Sequence, residues 1–176
     1  MEKERQSRVV MTLEGLNHLP PGPLPCGYTL RSFRPGDEEH WENIIFDAFG
    51  RFRSFAKTMA EDSYFAPQRI IFACHFQEGP IATAAAWHAP NTPDNIGYLY
   101  MVGALQAHTG NGLGYCVCAR AINQMIIDGK TSALLVTDSF RLPAIKTYLK
   151  LGFQPKILHL SQLLIWDRIM HNLNHR

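Results

Sequence analysis

The order of strand and helix patterns along the chain predicts an α+β fold, one mixed sheet with helices packed against it. Three observations carry this. Two β-rich apolar runs, 69–76 and 81–88, flank a Gln77-Glu78-Gly79-Pro80 turn and read as an antiparallel hairpin. A strand–helix–strand run over 96–137 follows, and such a crossover joins parallel strands. At 176 residues, 46% hydrophobic and 18% charged, the chain suits one globular domain with a sizeable core and is short for two.

The elements follow in order. Residues 1–26 read as a proline-rich N-terminal extension, because Pro20, Pro21, Gly22, Pro23 and Pro25 sustain neither a helix nor a central strand. Residues 27–176 read as the single domain. Gly27–Phe33 alternates apolar and polar residues and is the first expected strand. Asp37 is placed to cap a helix whose stripe is Trp41, Ile44, Ile45, Ala48 and Phe49, with Gly50 closing it. A short second helix and a loop fill 51–66. The hairpin comes next, in a register that pairs Phe76 with Ile81 and His75 with Ala82. Ile96–Leu105 is apolar on both faces and reads as a central strand. A glycine-rich loop leads into a helix over 112–128, stopped by Gly129. Then come a buried strand at 133–137, a helix at 141–151 ended by Gly152, and a strand at 153–158. Leu163, Trp166, Met170 and Leu173 repeat at helical spacing, so an amphipathic helix over 160–173 ends the domain.

Composition narrows the function classes. A net charge of +2 lacks the basic excess of an electrostatic nucleic-acid binder, so no nucleic acid is expected. The four cysteines, Cys26, Cys74, Cys116 and Cys118, contain no Cys-x-x-Cys pair, so neither a metal nor a dithiol role is expected. They read as reduced thiols. The charged start MEKERQSRVV has no apolar region behind it, and no stretch reaches the length of about 20 residues that spans a bilayer. No membrane partner is expected, and the expected location is cytoplasmic.

Thr109-Gly110-Asn111-Gly112-Leu113-Gly114 joins the central strand to a helix. Glycines allow close backbone approach, and the free amides of a helix start suit phosphate. Many such loops only turn the chain, and from the loop alone both readings stand. A dinucleotide fingerprint does not fit, because Tyr115 occupies its third glycine. A P-loop does not fit at Gly129-Lys130-Thr131, because Gln124 stands at its leading glycine.

Two motifs in order give a more specific match. The loop ending in Gly112 and Gly114 resembles the Arg/Gln-x-x-Gly-x-Gly/Ala loop of the GNAT superfamily of N-acetyltransferases, with Thr109 at the Arg/Gln place. Downstream, Tyr148-Leu149-Lys150-Leu151-Gly152-Phe153 resembles that family's Tyr-x-x-x-Gly-Phe pattern. The resemblance covers about 27–155 and leaves out the extension and the last helix. It implies a mostly antiparallel central sheet flanked by helices, here with an extra C-terminal helix.

The resemblance also implies chemistry. Acetyl-CoA is the implied acyl donor. The backbone of Val102, Gly103 and Ala104 would meet its pantetheine arm. The amides of Gly110, Asn111, Gly112, Leu113, Gly114 and Tyr115 would surround its pyrophosphate, with Thr109 offering a hydroxyl. Arg141 stands where the family often has Asn, either near the CoA phosphates or solvated at a helix start. Tyr148 takes the place of the acid that protonates the departing thiolate; its bland alternative is a core tyrosine. Attack needs a neutral amine and hence a proton acceptor. Asp138, at a strand's carboxyl end, is a candidate for that role and equally for capping the next helix. His75 and His88 fall at opposite ends of the hairpin, cannot share a metal ion, and read as strand or core residues. Glu42 and Asp47 read as solvated.

The expected activity is therefore acetyl transfer to a primary amine of a small molecule or a peptide. The alternative is a CoA-binding or interaction module of the same fold without catalysis. A homodimer through the C-terminal helix is a third reading. Phe49, Phe52, Phe55 and Tyr64, near Arg51, Arg53 and Lys57, form either an aromatic, basic acceptor rim or simply core and surface.

Overall fold

We describe a computed structural model of the chain over residues 7–20 and 22–175. The charged first six residues and Pro21, read above, lie outside the described residues. Seven strands form one sheet: β1 (Arg8–Glu14), β2 (Tyr28–Ser32), β3 (Ile70–His75), β4 (Gly79–Trp87), β5 (Ile96–Ala104), β6 (Ser132–Asp138) and β7 (Gln154–Lys156). Their order across the sheet is β2-β3-β4-β5-β6-β1-β7. Every neighbouring pair is antiparallel except β5–β6. The helices are α1 (Glu38–Phe49), α2 (Leu113–Ile127), α3 (Leu142–Lys150) and α4 (Ser161–Asn174).

Alternation along the strands splits the core between the two faces of the sheet. Ile71 and Ala73 of β3 face the cluster that holds Val117, Ile122, Ile145, Phe153 and Trp166, the side of α2, α3 and α4. Ile70, Phe72 and Cys74 face the cluster around Trp41, Ile44 and Phe55, the side of α1. On β4 the alanines allow close approach: Ala82, Ala84 and Ala86 are buried against the α2 side.

The first strand lies earlier than the sequence pattern suggested. Arg8–Glu14 pairs with all seven residues of β6 on one side and with β7 on the other. Val9 and Met11 are fully buried, so Val9, Met11 and Leu13 form the inward row of a period-two pattern. The proline-rich stretch that follows runs back along α2. The Leu16 amide donates to the Thr131 carbonyl, and Asn123 both donates to the Leu19 carbonyl (2.7 Å) and accepts from its amide (2.9 Å). Gly22 lies against the ring of Tyr115, where a Cβ would come within 2.9 Å.

Other local expectations change in the same way. Asp37 precedes α1, but its carboxylate does not cap the helix. It accepts from Arg31 at 2.6 and 2.8 Å and from the Arg34 amide, so an ion pair with β2 takes the place of the cap. The expected second helix is one π-type turn, Ala56–Ala60. The hairpin register pairs His75 with Gly79 and Ala73 with Ala82, with a bulge between Ala73 and Cys74, because the turn is tighter than the pairing of Phe76 with Ile81 required. The last helix buries Trp166 and Ile169 in the main core while Leu160, Leu163 and Leu164 face outward. Among the described residues, no helix is long and apolar enough to cross a membrane.

Candidate active site

β5 and β6 begin as partners and then part. They share only Ile96–Ser132, Gly97–Ala133 and Tyr98–Leu134. Beyond these, β6 stays with β1 as far as Asp138, and β5 stays with β4 as far as Ala104. The backbone edge of β5 from Leu99 to Ala104 therefore has no strand on its β6 side. A bulge helps to turn β5 away: Tyr100 pairs with Ala85 and Gly103 with Thr83, so Met101 and Val102 oppose Ala84 alone. Met101 adopts φ 47°, a left-handed conformation that non-glycine residues rarely take.

The opening forms a cleft of about 340 Å³. Its walls include Tyr98 to Val102 of β5, Val136 to Asp138 of β6, Arg141 and Tyr148 at the start and end of α3, and Phe49 at the end of α1. Arg8, Arg51 and Arg53 complete it on the α1 side.

Tyr148 stands in this cleft with 6% of its surface exposed. Burial pushes its phenol well above the ordinary range; Cys118 and Tyr98 add to this, and Arg141 opposes it. The hydroxyl therefore keeps its proton at neutral pH. The glycine of the motif has its own local reason. Gly152 adopts φ 97°, which lets the chain reverse at the end of α3, and the Phe153 amide donates to the Tyr148 carbonyl at 3.0 Å.

Asp138 and Arg141 form an ion pair at 3.0 Å. Arg141 also donates to the Ala48 carbonyl at 2.9 Å and lies over the Phe49 ring, which ties the end of α1 to the start of α3. Capping of α3 by the Asp138 side chain is not observed. The carboxylate uses Oδ2 for Arg141, and Oδ1 carries no hydrogen bond among the described residues.

The glycine loop leads from a short 3₁₀ turn, Gln106–His108, into α2. Gly110 and Gly112 have φ of 85° and 73°, so both need glycine for conformation. A Cβ added at Gly110, Gly112 or Gly114 would meet nothing within 4 Å, so the space over the loop is open. Among the described residues the amides of Gly110 to Tyr115 donate to no carbonyl, whereas those of Thr109 and Cys116 donate to Gln106 and Gly112. The Thr109 hydroxyl donates to the Gln106 carbonyl at 2.8 Å and so holds the 3₁₀ turn. Gly103 also serves packing. A Cβ there would sit 3.1 Å from that of Ala48, so this glycine lets α1 pack onto β5.

The structure thus brings Val102, Asp138, Arg141 and Tyr148 to one cleft and sets Thr109 to Tyr115 at the start of α2. It also brings in residues that sequence reasoning did not weigh. Tyr98 and Tyr100 stack at 5.2 Å on the α1 side of β5. Arg8 reaches the cleft because β1 lies beside β6, with Arg8 opposite Asp138. Lys150 lies 5.0 Å over the ring of Tyr115. The aromatic rim divides: Phe49 lines the cleft, Phe55 is core, and Tyr64 stacks under Arg69 at 3.8 Å. Glu42 and Asp47 are bound and not merely solvated, accepting from the Phe55 and Gln106 amides. His75 pairs with Glu78 and His88 with Asp62. No cluster of three His, Cys, Asp or Glu among the described residues is arranged to hold a metal.

Comparisons with known proteins agree with this geometry. A GCN5-related N-acetyltransferase from Sphaerobacter thermophilus superimposes with a TM-score of 0.69 over 85% of this chain and 48% of that one, at 21% identity. A Mycobacterium tuberculosis protein solved in complex with CoA superimposes with a TM-score of 0.59 over 81% of each chain, at 15% identity. These two likenesses concern the fold. In sequence, the chain is 28% identical over 144 residues to a mycothiol acetyltransferase of Streptomyces bingchenggensis. That match covers 77% of this chain and 46% of the relative, so the chain spans about half the length of the curated relatives it matches. Residues 32–153 match the family model described as the acetyltransferase (GNAT) family, and the chain belongs to that family.

Proposed function

We propose that this chain transfers an acetyl group from acetyl-CoA to the primary amine of a small acceptor. The observation that carries the reading is the parting of β5 and β6 around Tyr148, with an open glycine loop at the end of β5. The family's use of acetyl-CoA and the relatives named mycothiol acetyltransferase support a small-molecule acceptor. Four free cysteines suit a reducing compartment, and the reading places the reaction in the cytoplasm.

Acetyl-CoA would supply the thioester carbonyl that the amine attacks. The residues of the chain have separate tasks around it. The unpaired edge of β5 at Val102 to Ala104 offers main-chain groups to an extended arm, in the manner of an added strand. The amides from Gly110 to Tyr115, with the positive end of α2, suit a pyrophosphate. Tyr148 holds a proton for the departing sulfur. Asp138, the one carboxylate lining the cleft among the described residues, would take the amine's proton at Oδ1 by way of water. Arg141 fixes that carboxylate and closes the cleft floor against α1.

The test is release of free CoA thiol from acetyl-CoA by the purified protein across a panel of primary amines. Amine-dependent release with a matching acetylated product supports the reading. Saturable acetyl-CoA binding without turnover on any amine would leave a CoA-binding module in its place.

A further inference from the structure

Electrostatics in the cleft are lopsided. Four arginines and one carboxylate line it. Asp138 and Arg141 neutralise each other. Arg8, Arg51 and Arg53 remain, and none of the three forms an ion pair or a side-chain hydrogen bond among the described residues. Arg8 lies opposite Asp138 in the sheet, but that carboxylate is taken by Arg141. Arg53 is half-buried. Arg8 and Arg51 are exposed. Three like charges around one cleft repel one another, and a bound anion relieves that cost.

Two neutral donors accompany them. The Tyr98 and Tyr100 rings stack on the same face. Burial pushes both phenols up; the field of Arg8 opposes this at Tyr98, and that of Arg53 opposes it at Tyr100. Each tyrosine thus lies within electrostatic reach of one of the free arginines. Asp62, the acid that acts on Tyr100, is held by the Tyr64 amide, Trp87 and His88.

We infer that the acetyl acceptor is a small amine that also carries a carboxylate, bound by Arg53, Arg51 and Arg8 with Tyr98 and Tyr100 alongside. This rests on the transferase reading and names its substrate class. Guanidinium groups bind carboxylates through paired, in-plane hydrogen bonds, which fixes orientation as well as charge. Anchored on the α1 side, such an acceptor presents its amine toward Asp138 and Tyr148. The cleft is at the small end of ligand sites and must also admit the acyl arm, so the acceptor is amino-acid-sized.

The experiment pairs amines that differ only in charge: α-amino acids, β-alanine and 4-aminobutyrate against their carboxamides, with phosphoethanolamine as a phosphate arm. CoA release is measured for the wild type, Arg53→Gln and Arg51→Gln. The expected result is at least about a tenfold preference in kcat/KM for carboxylates, lost in the arginine variants through KM for the amine. KM for acetyl-CoA and the melting temperature stay as in wild type. Equal use of carboxamides, a preference for phosphoethanolamine, or arginine variants with unchanged amine KM would overturn the inference. A readout without turnover separates it from the transferase reading. With CoA present, carboxylates and not carboxamides raise the melting temperature of wild type, and Arg53→Gln removes the effect. If that holds while no amine is acetylated, the carboxylate site stands and the transferase reading falls; absence of the shift in wild type counts against the carboxylate site itself.

Discussion

Tyr98 and Leu134 are the last pair that joins β5 to β6. Two residues further on, Tyr100 already faces a cleft and Val136 pairs only with β1. The site therefore arises from strand geometry. Parallel pairing stops, a bulge turns β5, and the gap is filled from α3 by Tyr148 and from the α1 side by arginines.

Tyr148→Phe removes a hydroxyl that faces the cleft and makes no hydrogen bond among the described residues, so the fold should be retained. Turnover should fall by about a hundredfold through kcat, the usual scale for loss of a general acid, with little change in acetyl-CoA affinity. The raised phenol pKa gives a second expectation. Deprotonation of Tyr148 lies above the ordinary tyrosine value of about 10, so kcat should show no alkaline loss from this group below that pH. A pH profile with an alkaline limb near 8 to 9 that vanishes in Tyr148→Phe would contradict the assignment.

The Arg31–Asp37 pair should make stability depend on pH. Burial alone would raise the Asp37 pKa, but the Arg31 guanidinium and the Arg34 amide outweigh it and the net shift is downward. A depressed folded-state value stabilises the protein above the unfolded pKa, about 4, and that stability is lost as pH falls below it. Asp37→Asn should cost about 1–3 kcal/mol at neutral pH and flatten the acid side of the melting-temperature profile. Denaturation at neutral and acid pH checks this; an acid profile identical to wild type would exclude Asp37 as a source.

The thiols should separate sharply in reactivity. Cys26 is exposed, while Cys74, Cys116 and Cys118 are buried. Burial raises the pKa of all three buried thiols, most strongly for Cys118, where Cys116 adds to it. A disulfide reagent at neutral pH should titrate one fast thiol in the native protein, abolished by Cys26→Ser, and the others only on unfolding. Fast reaction of a second thiol would mean that the core opens readily, on the α1 side for Cys74 and on the α2 side for Cys116 or Cys118.

Much of this architecture was legible in the sequence because the signals were local. The hairpin and the glycine loop follow from turn chemistry and apolar period, and the Tyr148–Phe153 motif from its resemblance to the family's pattern. What was not legible depended on partners far away. Arg8–Glu14 alternates like a strand, yet nothing near it in sequence names β6 as its neighbour, and the prolines after it pointed to an extension. Arg8 was missed for that reason. Asp37 has the residue type and place of a helix cap, but Arg31 competes for its carboxylate. The hairpin register turned on a tighter turn, with His75 opposite Gly79, and on a bulge at Ala73–Cys74, neither of which the residue pattern marks. The packing of α1 onto β5 through Gly103 and Ala48 likewise joins residues far apart in sequence.

The central claim is that the loop before α2 holds the phosphates of acetyl-CoA, and Gly114 offers the cleanest test. It has no positive φ, and a Cβ there would meet nothing within 4 Å. Gly114→Val therefore adds bulk above the loop while the fold should tolerate it. Isothermal titration with acetyl-CoA, with NAD and ATP as controls, should give saturable binding for wild type with acetyl-CoA alone. Gly114→Val should lose at least about tenfold in affinity, the scale of a displaced phosphate contact, at an unchanged melting temperature. No binding by wild type, or equal binding by Gly114→Val, would contradict the account.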